Sequence, residues 1–250
     1  MKLLIVDGSN VVMRAAFGGE IGPAQAVPIA TGMIERQARE CGASHLVVAL
    51  DCPGETNWRR VFYPDYKANR DGDTGPWLRA AWAEWSRRGW YVENQAGYEA
   101  DDIIATVAGR AKDRAEILIY SSDSDLWPLA ELGARILRPL NGGKVDLLDA
   151  AAICKLKSVA TPGALVDLKA MTGDDGDNIP GVPGIGPTRA AQLLALHRDL
   201  EGVLTIGRAG GSRYSILVAQ HEEAVRRAHK LVTLCATVPT PLISPKACAL

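Results

Sequence analysis

The segment Lys2-Leu3-Leu4-Ile5-Val6-Asp7 decides the fold class that this sequence predicts. It is a short apolar run that reaches Asp7 and then Gly8-Ser9-Asn10. Such a run, bounded by turn-forming residues, is typical of a buried strand followed by a turn. The carboxylate at its end makes the strand a candidate for chemistry as well as for structure.

Two later segments repeat this pattern and also end at an Asp: His45–Leu50 before Asp51, and Glu116–Tyr120 before Asp123. Helical patterns over residues 24–41 and 100–114 separate these runs. The alternation predicts an α/β domain whose mostly parallel sheet is flanked by helices. Ligands of such sheets bind at the carboxyl ends of the strands, where all three Asp residues would lie. One Asp alone could be an ordinary turn residue.

The chain has 250 residues, of which 47% are hydrophobic, enough for a sizeable core. The N-terminal apolar run reaches Asp7 too early for a signal peptide, and no run is long enough to span a bilayer. A soluble cytoplasmic protein is therefore expected. Five cysteines without a C-x-x-C pair predict reduced thiols rather than a disulfide framework.

Nine acids follow or precede predicted elements: Asp7, Asp51, Glu99, Asp101, Asp102, Asp123, Asp125, Asp174 and Asp177. Oxygen ligands without histidine or cysteine favour Mg²⁺ or Mn²⁺, and the four histidines have no zinc spacing. If these acids converge, cations are needed, because like charges raise one another's pKa.

The formal net charge of −1 does not exclude a nucleic-acid partner. Setting the nine acids aside leaves 20 acids against 28 Lys and Arg, a surplus of eight positive charges. A basic surface around an acidic site is compatible with that distribution.

The stretch 171–190 places two predicted features side by side. Asp174 and Asp177 have a spacing that suits a shared divalent cation. The glycine-rich hairpin Gly181-Val182-Pro183-Gly184-Ile185-Gly186 opens into a helix at Pro187. A glycine turn at a helix N-terminus offers backbone N–H groups to a phosphate. The stretch therefore predicts contact with a nucleic-acid backbone.

Between residues 59 and 90, basic and aromatic residues are interleaved, a mixture that suits single-stranded or frayed nucleic acid. For Tyr66, Lys67 and Arg70 we favour this functional interpretation. The tryptophans at 77, 82 and 85 have helical spacing, so we expect them to be buried in a core.

From about residue 160 the pattern is helical, with helices expected over 162–171, 187–196 and 214–234. The last expected strand is 145–148, and the tail 238–250 is expected to be irregular, which favours a free-standing protein. The chain has no Ser-His-Asp arrangement and no G-x-x-x-x-G-K-[ST] loop. Metal-assisted phosphodiester hydrolysis is the reaction that remains, because two divalent ions can stabilise an in-line displacement at phosphorus.

Six motifs in order resemble those of the flap endonuclease-like 5′ nucleases, which include phage 5′→3′ exonucleases and the 5′-nuclease domain of bacterial DNA polymerase I. The motifs span residues 1 to about 200: Val6-Asp7-Gly8, Asp51, Tyr66-Lys67-Ala68-Asn69-Arg70, Glu99-Ala100-Asp101-Asp102, Asp123-x-Asp125, and Gly173-Asp174-x-x-Asp177 with the hairpin to Gly186.

The resemblance implies a PIN-like α/β nuclease domain over 1–158, with a reduced arch at 58–90. It also implies a helical C-terminal domain over 159–250 that carries a helix-3-turn-helix motif at 181–196. Family members pass a 5′ end through an arch, and the short 71–98 interval implies a more open site here.

The resemblance also implies residue roles. Asp7, Asp51, Glu99, Asp101 and Asp123 would surround a first metal, while Asp125, Asp174 and Asp177 would share Asp123 around a second. Asp102 would orient metal water. Lys67 would neutralise the scissile phosphate, Tyr66 would stack on the terminal nucleotide and Arg70 would steer phosphate. K⁺ would bind the carbonyls of Gly181, Val182 and Ile185. Further DNA contacts would come from Arg59, Arg60, Gly184, Gly186, Thr188 and Arg189.

The implied function is a Mg²⁺-dependent, structure-selective 5′ nuclease of DNA replication and repair. It would act as a monomer on DNA with 5′ flaps, nicks or recessed ends, in a bacterial cytoplasm or as a phage-encoded protein. Two alternatives stay open at this point: a PIN-type ribonuclease, and a DNA-binding factor whose nuclease chemistry has lapsed.

Overall fold

The structure, a computed structural model, describes residues 1–54, 57–70, 72–241 and 247–250. The chain forms two compact units. The first, here the sheet unit, comprises Met1–Trp58, Gly72–Asp149 and Cys235–Leu250. The second, the helical unit, comprises Arg59–Asp71 and Ala150–Leu234. One residue of the predicted arch, 71, and residues 242–246 of the predicted tail lie outside the described residues.

The sheet unit is built on six strands in the order β3-β2-β1-β4-β5-β6. The strands are β1 Lys2–Asp7, β2 His45–Ala49, β3 Tyr91–Glu93, β4 Glu116–Tyr120, β5 Arg135–Pro139 and β6 Val145–Leu148. All neighbours pair in parallel except β5 and β6. Residues 3–6 of β1 are all buried, as expected for a strand covered on both faces. The predicted mostly parallel sheet is confirmed.

The first helix of this unit begins directly at the end of β1, and the other helices follow after loops. The helices are α1 Gly8–Gly19, α2 Pro23–Cys41, α4 Gly75–Arg87 and α5 Ala100–Ala111, with α3 Trp58–Phe62 at the boundary of the two units. The turn expected after Val6 was wrong, since α1 starts there and Asp7 is its N-cap, accepting from the Asn10 N–H at 2.9 Å. Gly8 is required because a Cβ there would lie 2.7 Å from Val48 Cγ1.

Helix α4 packs against α1 and α2, so the helical part of the predicted arch region contributes to the core of the sheet unit. Trp85 is fully buried and its indole N–H donates to Thr31 Oγ1 at 2.8 Å. Trp77 is partly buried and donates to the Ile21 carbonyl. Trp82 is 46% exposed, so its predicted burial was wrong.

The described residues of the tail 238–250 are irregular, as predicted, but they pack against the sheet unit. Val238 is fully buried, and its N–H donates to Thr106 Oγ1 at 3.1 Å. Arg110 donates to the Thr240 hydroxyl at 2.7 Å. Farther on, Leu46 N–H donates to the Cys248 carbonyl. Residues 238–240 therefore contact α5, and residues 248–250 lie beside β2.

The helical unit contains six helices among its described residues: α6 Ala150–Lys157, α7 Ala164–Thr172, α8 Pro187–His197, α9 Leu200–Arg208, α10 Arg213–Gln220 and α11 Glu222–Val232. The apolar faces of α7 to α11 form one core. The single helix expected over 214–234 is two helices, broken at His221, whose φ of −108° and ψ of 21° are not helical. A two-residue ladder pairs β7 Gly173–Asp174 with β8 Ile179–Pro180.

Gly173 and Gly181 let the two arms of this ladder touch. A Cβ on Gly181 would lie 2.0 Å from the Thr172 carbonyl oxygen, and one on Gly173 would lie 2.3 Å from the Gly181 nitrogen. Both glycines are therefore required by packing. All five cysteines carry reduced thiols, as predicted, and among the described residues no helix is both long and apolar enough to cross a membrane.

Candidate active site

The acids of the sheet unit gather at the carboxyl ends of three neighbouring strands. Asp7 ends β1, and Ser121, which follows β4, donates its hydroxyl to Asp7 Oδ2 at 2.7 Å. Burial raises the pKa of Asp7 to about 7, and the negative charges of Asp51 and Asp123 add to that rise. The three carboxylates are thus close enough to repel one another.

Asp51 links β2 to the start of α5. Its carboxylate accepts from the Ala100 N–H at 2.9 Å, and its own N–H donates to Ser9 Oγ. The positive end of a helix dipole favours a carboxylate at this position. Since Ala100 lies between Glu99 and Asp101, this bond brings two more predicted ligands to the same edge of the sheet.

Asp123 and Asp125 lie on the loop after β4. The Asp123 N–H donates to Ser121 Oγ at 3.0 Å, and the Asp123 side chain accepts from the Asp125 N–H at 2.9 Å. Ser121 is fully buried and contacts both Asp7 and Asp123. One hydroxyl therefore fixes the spacing of two predicted metal ligands.

Glu99 is the N-cap of α5 and is 8% exposed. The Asn57 side-chain amide donates to Glu99 Oε1 at 3.1 Å. Asp102 completes a capping box by accepting from the Glu99 N–H. The first turn of α5 is in this way held in one conformation.

Asp102 is hydrogen-bonded inside the sheet unit. Its side chain is fully buried, and Oδ1 accepts from the Cys235 N–H at 2.8 Å while Oδ2 accepts from the Trp58 indole at 3.1 Å. The prediction that Asp102 is a metal ligand is corrected accordingly, because both oxygens are already used inside the unit. Asp102 instead orients the helix turn that carries Glu99 and Asp101.

In the helical unit the predicted catalytic residues surround Asp177, which is 8% exposed. The Tyr66 hydroxyl donates to Asp177 Oδ2 at 3.0 Å, and Arg70 donates to Oδ1 at 2.5 Å. Lys67 Nζ lies 4.0 Å from Oδ2. The structure thus brings Tyr66, Lys67, Arg70 and Asp177 together within one unit.

The segment that carries these residues is joined to the 175–178 loop by hydrogen bonds from backbone and side-chain donors. The Lys67 N–H donates to the Asp177 carbonyl at 2.9 Å, and Asn69 donates to the Asp175 carbonyl at 2.7 Å. Asn178 donates to the Asp65 carbonyl at 2.8 Å. Lys67 adopts a φ of +53°, which is costly for a residue with a side chain. The surrounding bonds hold the lysine in that conformation.

Two predicted DNA contacts are corrected by burial. Tyr66 is 2% exposed and belongs to the core of the helical unit, so its ring is not available to stack on a nucleotide. Arg59 is also 2% exposed and donates to the Leu231 carbonyl at 2.7 Å, at the end of α11. Arg59 therefore caps a helix, and Tyr66 positions Asp177. Arg60 is exposed and donates to the carbonyls of residues 66 and 67.

Asp174 has its own cationic partner, which the sequence did not indicate. Lys169 donates to Asp174 Oδ2 at 2.6 Å, and the Gly176 N–H donates to Oδ1 at 2.9 Å. Burial favours the neutral acid, but the hydrogen bond and charge of Lys169 outweigh it, and the pKa of Asp174 lies below its usual value. Lys169 precedes Asp174 by five residues, a spacing that carries no recognisable signal.

The glycine hairpin is anchored by two buried side chains, Val182 and Ile185, each 4% exposed. Gly184 has a φ of +85°, which requires glycine, and its carbonyl accepts from Arg189 at 2.6 Å. The Arg189 guanidinium also lies 4.8 Å from the centre of the Tyr214 ring. Gly184, Gly186 and Thr188 are exposed residues at the start of α8.

Both parts of the chain match known sequence families. Residues 2–157 match the family described as 5′-3′ exonuclease, N-terminal resolvase-like domain, and residues 160–249 match 5′-3′ exonuclease, C-terminal SAM fold. The chain belongs to the 5′-3′ exonuclease family. The predicted family and the predicted fold class are both confirmed.

Two relatives and one solved structure illustrate the similarity. The chain is 33% identical over 256 residues to DNA polymerase I of Bacillus caldotenax, a match that covers 96% of this chain but 29% of that protein. It is 31% identical over 243 residues to the flap endonuclease Xni of Shewanella baltica, covering 95% of this chain and 91% of the relative. Its fold matches that of the T5 5′-exonuclease with divalent metal ions (zinc) bound, at a TM-score of 0.81 and 23% identity, covering 94% of this chain and 90% of that chain.

Proposed function

We propose that this family member is a metal-dependent 5′ nuclease that hydrolyses DNA phosphodiesters at 5′ flaps, nicks or recessed ends. One observation supports the proposal above all others: Asp7, Asp51 and Asp123 come from three different strands and crowd at one sheet edge. A fold gains no stability from three carboxylates that repel one another. Cation binding gives this arrangement a purpose.

The ligand chemistry favours two divalent ions, Mg²⁺ or Mn²⁺, because the described acids offer oxygen atoms alone. We assign the first ion to Asp7, Asp51, Glu99, Asp101 and Asp123, and the second to Asp123, Asp125, Asp174 and Asp177. When bound, such ions neutralise phosphate charge and lower the pKa of water. The flap endonuclease name of the Shewanella relative and the divalent ions bound to the T5 protein support this assignment.

Within the helical unit, Lys67 would act on the scissile phosphate. Its charge is held near Asp177 by a strained backbone and by the 4.9 Å contact of Nζ with the Tyr66 ring. A fixed cation needs little reorganisation as charge develops on the phosphate. Arg70 is more exposed and would guide the DNA backbone, while Tyr66 keeps Asp177 in place.

The hairpin at 181–186 would bind the duplex away from the cut. Exposed N–H groups at the start of α8 suit a phosphate, and the carbonyls of Gly181, Val182 and Ile185 are candidates for a K⁺ ion. Since Val182 and Ile185 are anchored in the core, the hairpin is rigid enough to measure distance along DNA. We further propose that the protein acts as a monomer and works in a bacterial cytoplasm, either cellular or phage-encoded.

Substituting Asp123→Asn tests this proposal because it removes a charge without changing shape. We expect cleavage of a labelled DNA flap to fall at least about 10³-fold while binding of the same flap stays measurable. Asp113→Asn, an exposed acid of the same unit, is the matched control. Near wild-type cleavage by Asp123→Asn would refute the role of Asp123. Preferential cleavage of a matched RNA flap would favour the ribonuclease alternative.

A further inference from the structure

The sheet unit contains a second cleft, of about 390 Å³, which the nuclease proposal does not use. It lies where the second half of α1, the middle of α2 and the turn between β5 and β6 meet. None of the nine predicted metal ligands lines it. Its volume falls in the range of small-molecule sites.

Two polar side chains in its wall keep solvent-accessible polar atoms although their residues are largely buried. Gln37 is 5% exposed and Tyr120 is 3% exposed, and both line the cleft. Within the described residues, neither the Gln37 amide nor the Tyr120 hydroxyl makes a hydrogen bond to another protein group. The cleft therefore offers an amide and a phenol to a molecule that can satisfy them.

The charged residues of the cleft are all cationic. Arg14, Arg36 and Lys144 line it, and no Asp or Glu does. Arg36 pairs with Glu40, but among the residues described Arg14 and Lys144 have no carboxylate partner. Arg14 also donates to Asn141 Oδ1 at 3.3 Å, and Arg36 donates to the Gly143 carbonyl, which ties both to the β5–β6 turn. Concentrated positive charge in a cleft selects an anion.

The remaining walls are apolar and include Ile21, Ile29 and Met33. Ile29 is 49% exposed, an unusual state for a large apolar side chain beside a cavity. An inorganic anion would leave these walls uncovered. The cleft therefore suits an anion that also carries a flat ring system. The apolar walls would cover the faces of the ring, and the amide and phenol would hydrogen-bond to its polar edge.

We propose that this cleft binds a free nucleoside monophosphate. The phosphate would meet Arg14 and Lys144, and the edge of the base would meet Gln37 and Tyr120. Mononucleotides are what a 5′ exonuclease releases, so the ligand would be present where the protein works. The assignment itself rests on the cleft and does not require the nuclease proposal.

The test is a calorimetric titration of the full chain with dAMP in chelator, so that no metal links nucleotides to the acids. We expect saturable binding of one dAMP, roughly tenfold or more weakened by Arg14→Gln and by Gln37→Leu. Arg39→Gln is the control, since Arg39 is an exposed arginine of α2 that does not line the cleft. Thermal melts of each variant establish that the fold is intact.

Three comparisons define the ligand class. Deoxyadenosine and inorganic phosphate should each bind at least about tenfold more weakly than dAMP, because each lacks half of the contacts. Phosphate binding as tightly as dAMP would overturn the nucleotide assignment, and a dinucleotide binding more tightly than dAMP would overturn the assignment to a free mononucleotide. Equal loss in Arg14→Gln and Arg39→Gln, or no saturable binding, would sink the site. Flap cleavage by Arg14→Gln should stay within about twofold of wild type, which separates this result from the nuclease proposal.

Discussion

The two units hold their carboxylates in opposite electrostatic states. In the sheet unit, Asp7 lies beside Asp51 and Asp123, and its pKa is raised to about 7 by burial and then by those charges. In the helical unit, Asp174 is bonded to Lys169, and its pKa is lowered despite burial. In the sheet unit, a bound cation would relieve the repulsion between the carboxylates. In the helical unit, Lys169 already balances the charge of Asp174. A metal ion should therefore bind the first set readily and compete with protein cations at the second.

Lys67 gives the largest expected effect within this comparison. Lys67→Ala removes a preorganised charge from the helical unit, and we expect the rate of flap cleavage at saturating substrate to fall roughly 10²- to 10³-fold. Single-turnover kinetics would measure it. The exposed Lys155→Ala of α6 should cut normally. A Lys67→Ala rate within about twofold of wild type would remove Lys67 from the chemistry.

Asp7→Asn tests the cost of holding a carboxylate that is buried and lies beside two like charges. The folded pKa of Asp7 is about 7 and the unfolded value is near 4, so the folded protein holds this proton more tightly. The contribution of Asp7 to the free energy of unfolding is therefore fully present below about pH 4 and is lost as pH rises to 7. In chelator at pH 8, Asp7→Asn should be more stable than wild type by roughly 2–4 kcal/mol, and near equal at pH 4. Urea unfolding across this range gives the values.

The exposed Asp113→Asn serves as the control for that series and should show no such pH dependence. The stability difference between Asp7→Asn and wild type could instead be the same at pH 8 and at pH 4. The bonds of Asp7 to Asn10 and Ser121 would then offset the cost of its charge. The comparison between the two units would then fail.

Lys169→Met tests competition in the helical unit. Without its partner, Asp174 should accept a metal ion more readily, so the divalent-ion concentration for half-maximal cleavage should fall roughly three- to tenfold. The effect is modest because the pair is partly exposed, with side-chain exposures of 24% and 20%. Lys155→Met is the matched control. A higher metal requirement would instead make Lys169 a residue that orients Asp174 for the metal.

The sequence predicted the features that repeat locally and missed those that depend on distant partners. The three strands that end in Asp were readable because each apolar run and its acid lie within a few residues. Helix α1 was missed because Asp7-Gly8-Ser9-Asn10 has turn composition, and its capping bond is visible only in three dimensions. The burial of Tyr66 and Arg59 was also hidden, since their partners Asp177 and Leu231 lie 111 and 172 residues away.

Asp102 shows that distant partners also decide the role of a residue inside a recognised motif. Its position next to Asp101 made it look like a ligand, yet its partners Trp58 and Cys235 turn it into a clamp on α5. Side-chain direction on a helix decides which of two adjacent acids faces the site. Sequence adjacency does not supply that direction.

The central claim, that the crowded acids exist to bind metal ions for phosphodiester hydrolysis, is tested most directly with one labelled substrate. Purified protein is incubated with a 5′-labelled DNA flap in Mg²⁺ and, in parallel, in excess chelator. The account predicts that a short 5′ product appears in Mg²⁺ and that intact, protein-bound flap persists in chelator. Equal cleavage in both tubes, or bound but uncut flap in Mg²⁺ and Mn²⁺ alike, would contradict it.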